Sequence, residues 1–232
     1  MIREGILFPI LNESIPDWLC EFAQTPAMQR LKGIGMNCGL EYTRFPIYRH
    51  LTKPYSRYEH SIGTALIIWH FTQDLAQSAA GLFHDISTPV FAHVIDFLNH
   101  DHLRQESTEG PTRQIIEKDP QLQRLLKKWG LHSSQVSDYH QYPIADNDSP
   151  QLSADRLEYT LGNAIAFQAY PLVRLQALVD DLAVSADEHG QPELVFRSFA
   201  RAKEFARLAL INSWIYVADE DQLDSLYLDI YP

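Results

Sequence analysis

Residues 81–96, GLFHDISTPVFAHVID, set His84 and Asp85 side by side at the end of an apolar run. His93 and Asp96 follow, spaced by three residues, which a helix brings onto one face. An imidazole next to a carboxylate suits a transition ion such as Zn, Mn or Fe better than the all-oxygen surroundings of Mg or Ca. A His-Asp pair on its own is more often a helix cap or a satisfied surface pair, so a metal reading needs further ligands from elsewhere in the chain.

Two other stretches offer them. Residues 57–63, RYEHSIG, contain His60, and residues 154–159, ADRLEY, contain Asp155; both read as helix. The order His60, His84-Asp85, Asp155 resembles the HD superfamily of metal-dependent phosphohydrolases. The detail resembles its deoxynucleotide triphosphohydrolase-like branch, whose opening signature looks like residues 25–31, TPAMQRL. The likeness runs from about the first helix to at least Asn163. It implies an all-α HD-domain fold and one divalent transition metal ion (Mn, Fe, Zn or Ni) held by His60, His84, Asp85 and Asp155. It also implies that Arg57 and Arg156 contact substrate phosphate, that Asp96 is a catalytic carboxylate and that His93 contacts phosphate.

The residues themselves support parts of this. Arg57 lies three before His60, hence on the same helical face, where it could clamp a phosphate or be a solvated charge. Asp155, Tyr159 and Asn163 recur one turn apart, so Tyr159 and Asn163 would line a groove beside an ion at Asp155. The alternative for Tyr159 is a half-buried core aromatic, and for His93 and Asp96 a hydrogen bond on a helix surface. Four positions depart from the branch's pattern. Thr88 and Thr108 stand where it has histidines, Met36 where it has a sugar-holding glutamine, and Asn163 where it has an aspartate near the 3′-hydroxyl. Threonine cannot take up a proton at neutral pH as imidazole does. His100 and His102 are candidates for a displaced general acid, or simply surface histidines.

The expected chemistry is therefore metal-dependent hydrolysis of a phosphate ester of a nucleotide or another small phosphorylated metabolite, with Asp96, His93 and Arg57 as catalytic residues. The competing expectation is a catalytically impaired HD-domain protein that binds metal and nucleotide as a regulatory or interaction module. A purely structural all-α protein would leave the ligand set unexplained. The net charge of −11 argues against general nucleic-acid or anionic-membrane binding, which uses basic surfaces. A small phosphate ester remains compatible, since a metal and a few arginines offset the global sign locally.

With 45% hydrophobic residues among 232, the chain can bury a core as a single HD-type domain spanning 1–232. The core is expected over about 16–170, with a hairpin and helices over about 171–232. Two cysteines, Cys20 and Cys38, fit a reducing compartment. The N-terminal residues lack the apolar core of a signal peptide, and no run is long enough to span a bilayer, so a cytoplasmic location is expected.

Apolar periodicity predicts a first helix over 17–32, starting near Pro16. Residues 33–54, with Gly33, Gly35, Gly39, Pro46 and Pro54, read as mostly irregular. Helices are predicted from Tyr55 onward, over much of 76–83, from Pro89, and over 111–117, 120–129, 151–168 and 199–217, with a last one before Pro232. Leu157, Leu161, Ala164 and Ile165 form one apolar stripe. Residues 182–184 and 194–196 flank Glu188-His189-Gly190 and predict a small β-hairpin. The apolar stretch 223–230 is expected to be covered by a partner subunit, giving a homo-oligomer, or by a further C-terminal segment.

Overall fold

The computed structural model describes residues 14–36, 55–90, 111–148 and 150–217. Among these residues the chain is helical apart from one two-stranded antiparallel sheet, the all-α fold with a small hairpin that the sequence predicts.

The first segment differs from its prediction. In place of one helix over 17–32 there are α1 (Asp17–Ala23), α2 (Pro26–Gln29) and a 3₁₀ turn (Arg30–Gly33). Pro26 is the reason: it has no N–H to continue the ladder, and it holds Thr25 extended (φ −65°, ψ 147°). The Thr25 hydroxyl instead donates to the Phe22 carbonyl at 2.7 Å, closing the end of α1. The break lets Arg30 swing onto the loop that follows the His-Asp pair.

Helix α3 (Arg57–Thr72) is the centre of the molecule. Its start is fixed by a reciprocal cap between Ser56 and Glu59, in which the Ser56 N–H donates to Glu59 Oε2 at 2.8 Å. Residues 60–68 are buried on every side, as expected for a helix enclosed by others. It stops at Gln73 in the left-handed region (φ 52°), and Asp74 at once caps α4 (Leu75–Phe83) by accepting from the Gln77 N–H at 3.0 Å. So short a link folds α4 back along α3. His84 thus sits at the C-terminal end of α4, beside His60 in the first turn of α3.

Next come α5 (Thr112–Lys118), α6 (Pro120–Trp129) and α7 (Ser133–Val136), the last not foreseen from sequence. Asp119 caps α6, and Gly130 at φ 70° ends it. Helix α8 (Ala154–Gln168) starts at a Ser153 cap, three residues later than predicted, and packs against α3. Leu157, Leu161 and Ala164 are buried and Ile165 partly so, as the stripe predicts. A second unforeseen helix, α9 (Leu172–Asp180), leads into β1 (Leu182–Ala186) and β2 (Pro192–Phe196). Leu182 pairs with Phe196 and Val184 with Leu194, and Gly190 supplies the positive φ of the turn (79°). Helix α10 (Phe199–Val217) has the predicted bounds and packs on α8.

The core joins α1, α3, α4 and α8, with Phe22 and Phe83 edge to face at 5.3 Å. Among the described residues no helix is long and apolar enough to cross a membrane. The helices predicted from Pro89 and before Pro232, the apolar stretch 223–230, and His93, Asp96, His100, His102 and Thr108 all lie outside the described residues.

Candidate metal centre

Three of the four expected ligands converge where α3, the end of α4 and the first turn of α8 meet. One ligand atom from each of His60, His84 and Asp155 lies within 4.8 Å of the others. His60 Nε2 is 2.8 Å from Asp155 Oδ1 and 3.1 Å from His84 Nε2, and His84 Nε2 is 3.6 Å from the same carboxylate oxygen. Both imidazoles are buried, and the carboxylate is partly open.

Hydrogen bonds on the far side of each ring decide which nitrogen points inward. His84 Nδ1 is 2.7 Å from the Gly81 carbonyl, which can only accept, so Nδ1 carries the proton. His60 Nδ1 meets the Glu158 carboxylate in the same way. Two Nε2 lone pairs and a carboxylate oxygen are left facing one another, an arrangement that needs a cation among them. Two nitrogens on one tetrahedral Zn²⁺ at about 2.05 Å lie roughly 3.3 Å apart, close to the observed 3.1 Å between the rings. The donor set therefore fits a divalent transition ion. Without one, a proton takes its place. Burial opposes charging of His60, but the Glu158 and Asp155 carboxylates outweigh it and push the imidazole up to about 10. Asp155 is lowered: burial would raise it, but its hydrogen bond with His60 and the nearby imidazoles prevail.

Asp85, the fourth expected ligand, lies at the edge of this cluster. Its Oδ2 is 3.5 Å from His84 Nε2, while Arg57 Nη1 donates to both of its oxygens at 2.9 and 3.0 Å. Thr88 also donates, at 2.8 Å, to Oδ1. Burial works against the charge on Asp85, yet Arg57 and the two imidazoles hold its carboxyl well below the usual range. Arg57, on the same helix as His60 as its spacing predicts, thus brings a buried positive charge beside the centre. Arg30 braces the loop from outside, with Nη1 on the Thr88 carbonyl at 2.8 Å and Nη2 on that of Ile86 at 2.7 Å.

Of the expected substrate-binding residues, Tyr159 is half-buried and Asn163 buried, with Asn163 Oδ1 lacking a hydrogen-bond partner among the described residues. Arg156 is engaged by the loop before α8: Nε donates to the Gln151 carbonyl at 3.0 Å, and Nη2 to the carbonyl and side-chain oxygens of Asn147. His93 and Asp96 lie outside the described residues.

Three contributions were not read from the sequence. Glu158 holds His60 from behind, Tyr55 donates its hydroxyl to the same Glu158 oxygen, and Tyr139 lies against His84 with ring centroids 5.0 Å apart. The available signal was Glu158 at three residues beyond Asp155, one helical turn along the same face.

Comparison with known proteins agrees with this centre. No family model matches the chain. Over 168 residues it is 32% identical to "Metal-dependent phosphohydrolase cns2" of the fungus Cordyceps militaris, covering 71% of this chain and 45% of that protein. Over 165 residues it is 30% identical to "Uncharacterized protein YdhJ" of Bacillus subtilis, covering 71% of this chain and 48% of that one. The chain spans just under half the length of these curated relatives. An aligned stretch of this extent necessarily includes His84, Asp85, Asp155 and Glu158. Together with the His60, His84 and Asp155 cluster, the similarity to a protein named as a metal-dependent phosphohydrolase supports a divalent metal at this centre.

Proposed function

We propose that this protein is a metal-dependent phosphohydrolase acting on a phosphate ester of a nucleotide or another small phosphorylated metabolite. The observation that carries the reading is the convergence of His60 Nε2, His84 Nε2 and Asp155 Oδ1 with both Nδ1 protons already committed elsewhere. His60, His84 and Asp155 would hold the ion, with Asp85 as a fourth ligand once it shares its charge between the ion and Arg57. A bound divalent ion supplies an acidified water and a counter-charge for a phosphoryl group.

The chain's own residues do the rest. Arg57 is buried beside the centre and can give charge-assisted hydrogen bonds to a phosphate oxygen while remaining close to Asp85. Tyr159 and Asn163, one and two turns beyond Asp155 on α8, are the proposed contacts to the remainder of the substrate; Asn163 Oδ1, unpartnered among the described residues, is an acceptor available for a hydroxyl. Arg156 would reach a phosphate only by leaving the Asn147 loop. Asp96 and His93 are the proposed proton-handling and phosphate-contacting groups.

One observation favours the second reading, a module that binds metal and nucleotide with little turnover. Thr88, at the position of a family histidine, spends its hydroxyl proton on Asp85 and cannot protonate a leaving alkoxide. Substrates whose departing oxygen needs little protonation, such as phosphoanhydrides, are then favoured over the triphosphate ester of a deoxynucleoside. A phosphate-release screen of metal-loaded protein over nucleoside mono-, di- and triphosphates separates the two. Turnover that is weakened in Arg57→Ala supports the enzyme, whereas tight nucleotide binding without release supports the module.

A further inference from the structure

His60 can present Nε2 to an ion only while Nδ1 keeps its proton, and the group receiving that proton's hydrogen bond is Glu158. Glu158 is 1% exposed, and its Oε2 accepts from the Tyr55 hydroxyl as well, so a single buried oxygen ties α3, α8 and the residue before the Ser56 cap together. A carboxylate in so dry a place is costly to bury unless it is held by donors, as it is here.

Two glycines make the arrangement physically possible. Gly63 lies inside α3, one turn after His60, and a Cβ there would stand 2.7 Å from Glu158 Cγ and 2.9 Å from Cδ. Gly162 lies inside α8, one turn after Glu158, and a Cβ there would meet the Tyr55 hydroxyl at 2.7 Å and Cζ at 2.8 Å. In each case the three nearest atoms all belong to this one chain of side chains. A glycine in a helix interior is worth about 1 kcal/mol less than alanine, so two of them facing the same relay call for a packing reason.

We propose that Glu158, braced by Tyr55, is a positioning residue that fixes the tautomer and aim of His60 and thereby sets the affinity of the His60, His84 and Asp155 site for a divalent cation, with Gly63 and Gly162 as the space it needs. It goes beyond the ligand set and rests on the metal reading above. The physical basis is that a carboxylate behind an imidazole locks the ring and strengthens its far nitrogen as a donor, and loss of such a partner weakens metal binding by about 10–100-fold.

The test is zinc titration of metal-stripped protein against a chelating competitor, for wild type, Glu158→Gln, Tyr55→Phe and His60→Ala. Thermal unfolding of each stripped protein is measured alongside, together with long-range ¹H–¹⁵N correlation of the zinc-loaded histidines. Glu158→Gln keeps the size of the side chain and is expected to bind zinc about 10–100-fold more weakly, with a displaced His60 Nδ1–H resonance. Tyr55→Phe is expected to show a smaller loss in the same direction. A folded Glu158→Gln protein with wild-type affinity and resonance overturns the proposal and leaves the metal reading standing. Affinity losses that merely follow losses of thermal stability, with the resonance unmoved, also overturn it by making Glu158 a packing residue. Should Glu158→Gln not fold, Tyr55→Phe decides, since wild-type affinity and resonance there would overturn the bracing role. If wild type takes up no zinc, or His60→Ala binds as well as wild type, the metal reading falls and this proposal with it.

Discussion

Replacing Arg57 with alanine removes the partner that holds Asp85 at 2.9 and 3.0 Å in a place where both groups are nearly inaccessible to water. Taking one member from a buried ion pair leaves the other charged and unpaired, which destabilises by about 3–5 kcal/mol. Thr88 still donates to Oδ1, so the low end applies, about 3 kcal/mol. In a protein of this size each kcal/mol moves Tm by about 2–4 °C, so metal-stripped Arg57→Ala should melt roughly 6–12 °C below stripped wild type. A divalent ion should raise the Tm of Arg57→Ala by more than that of wild type, because it gives Asp85 a new counter-charge. The assay is thermal unfolding with and without metal, extended by a double-mutant cycle with Asp85→Asn. If Arg57→Ala melts within about 2 °C of wild type and the cycle is additive, the pair does not stabilise this centre. The same substitution is expected to weaken substrate and transition-state binding by about 1.5–3 kcal/mol, read from kinetic constants at full metal loading.

The stability of the stripped protein should fall with rising pH. His60 titrates near 10 in the fold against an ordinary 6.5, so the stability it contributes is full below about pH 6.5 and disappears as pH rises toward 10. His60→Asn should flatten the Tm-against-pH curve, as should bound metal, which takes the proton's place; parallel curves would refute this. Gly63→Ala trades a helix-propensity gain of about 1 kcal/mol against overpacking of about 1–3 kcal/mol on Glu158, so zinc affinity should drop with only a modest change in Tm. An alanine variant with wild-type zinc affinity would show that Glu158 moves without consequence. Thr88→His should increase triphosphate release from deoxynucleoside triphosphates, and equal, efficient release from both proteins would contradict the weight placed on that threonine.

Strong local signals were legible in the sequence. Apolar triplets flanking a turn glycine gave the hairpin, though not its register, and the amphipathic run from Phe199 gave α10 its bounds. The first helix was misread because its apolar period continues through Pro26, where the backbone cannot. Helix α9 was missed because Leu172 and Val173 are exposed, leaving only Leu175, Leu178 and Val179 to mark a short buried stripe after Pro171. In the site, ligand types and their order can be read along a chain, but partners across helices cannot. The spacing sets Glu158 on the face of Asp155, but nothing local says that it reaches His60 on α3 or that Arg156 is held by the loop before α8. The interior glycines Gly63 and Gly162 were the readable trace of that arrangement.

Elemental analysis of the purified protein tests the central claim most directly, with wild type set against His84→Ala and Asp155→Ala and each variant first shown to be folded. About one divalent transition ion per chain in wild type, lost from both variants, is the predicted result. Wild type without such an ion after incubation with Zn, Mn, Fe and Ni salts, or metal undiminished in both variants, would contradict it.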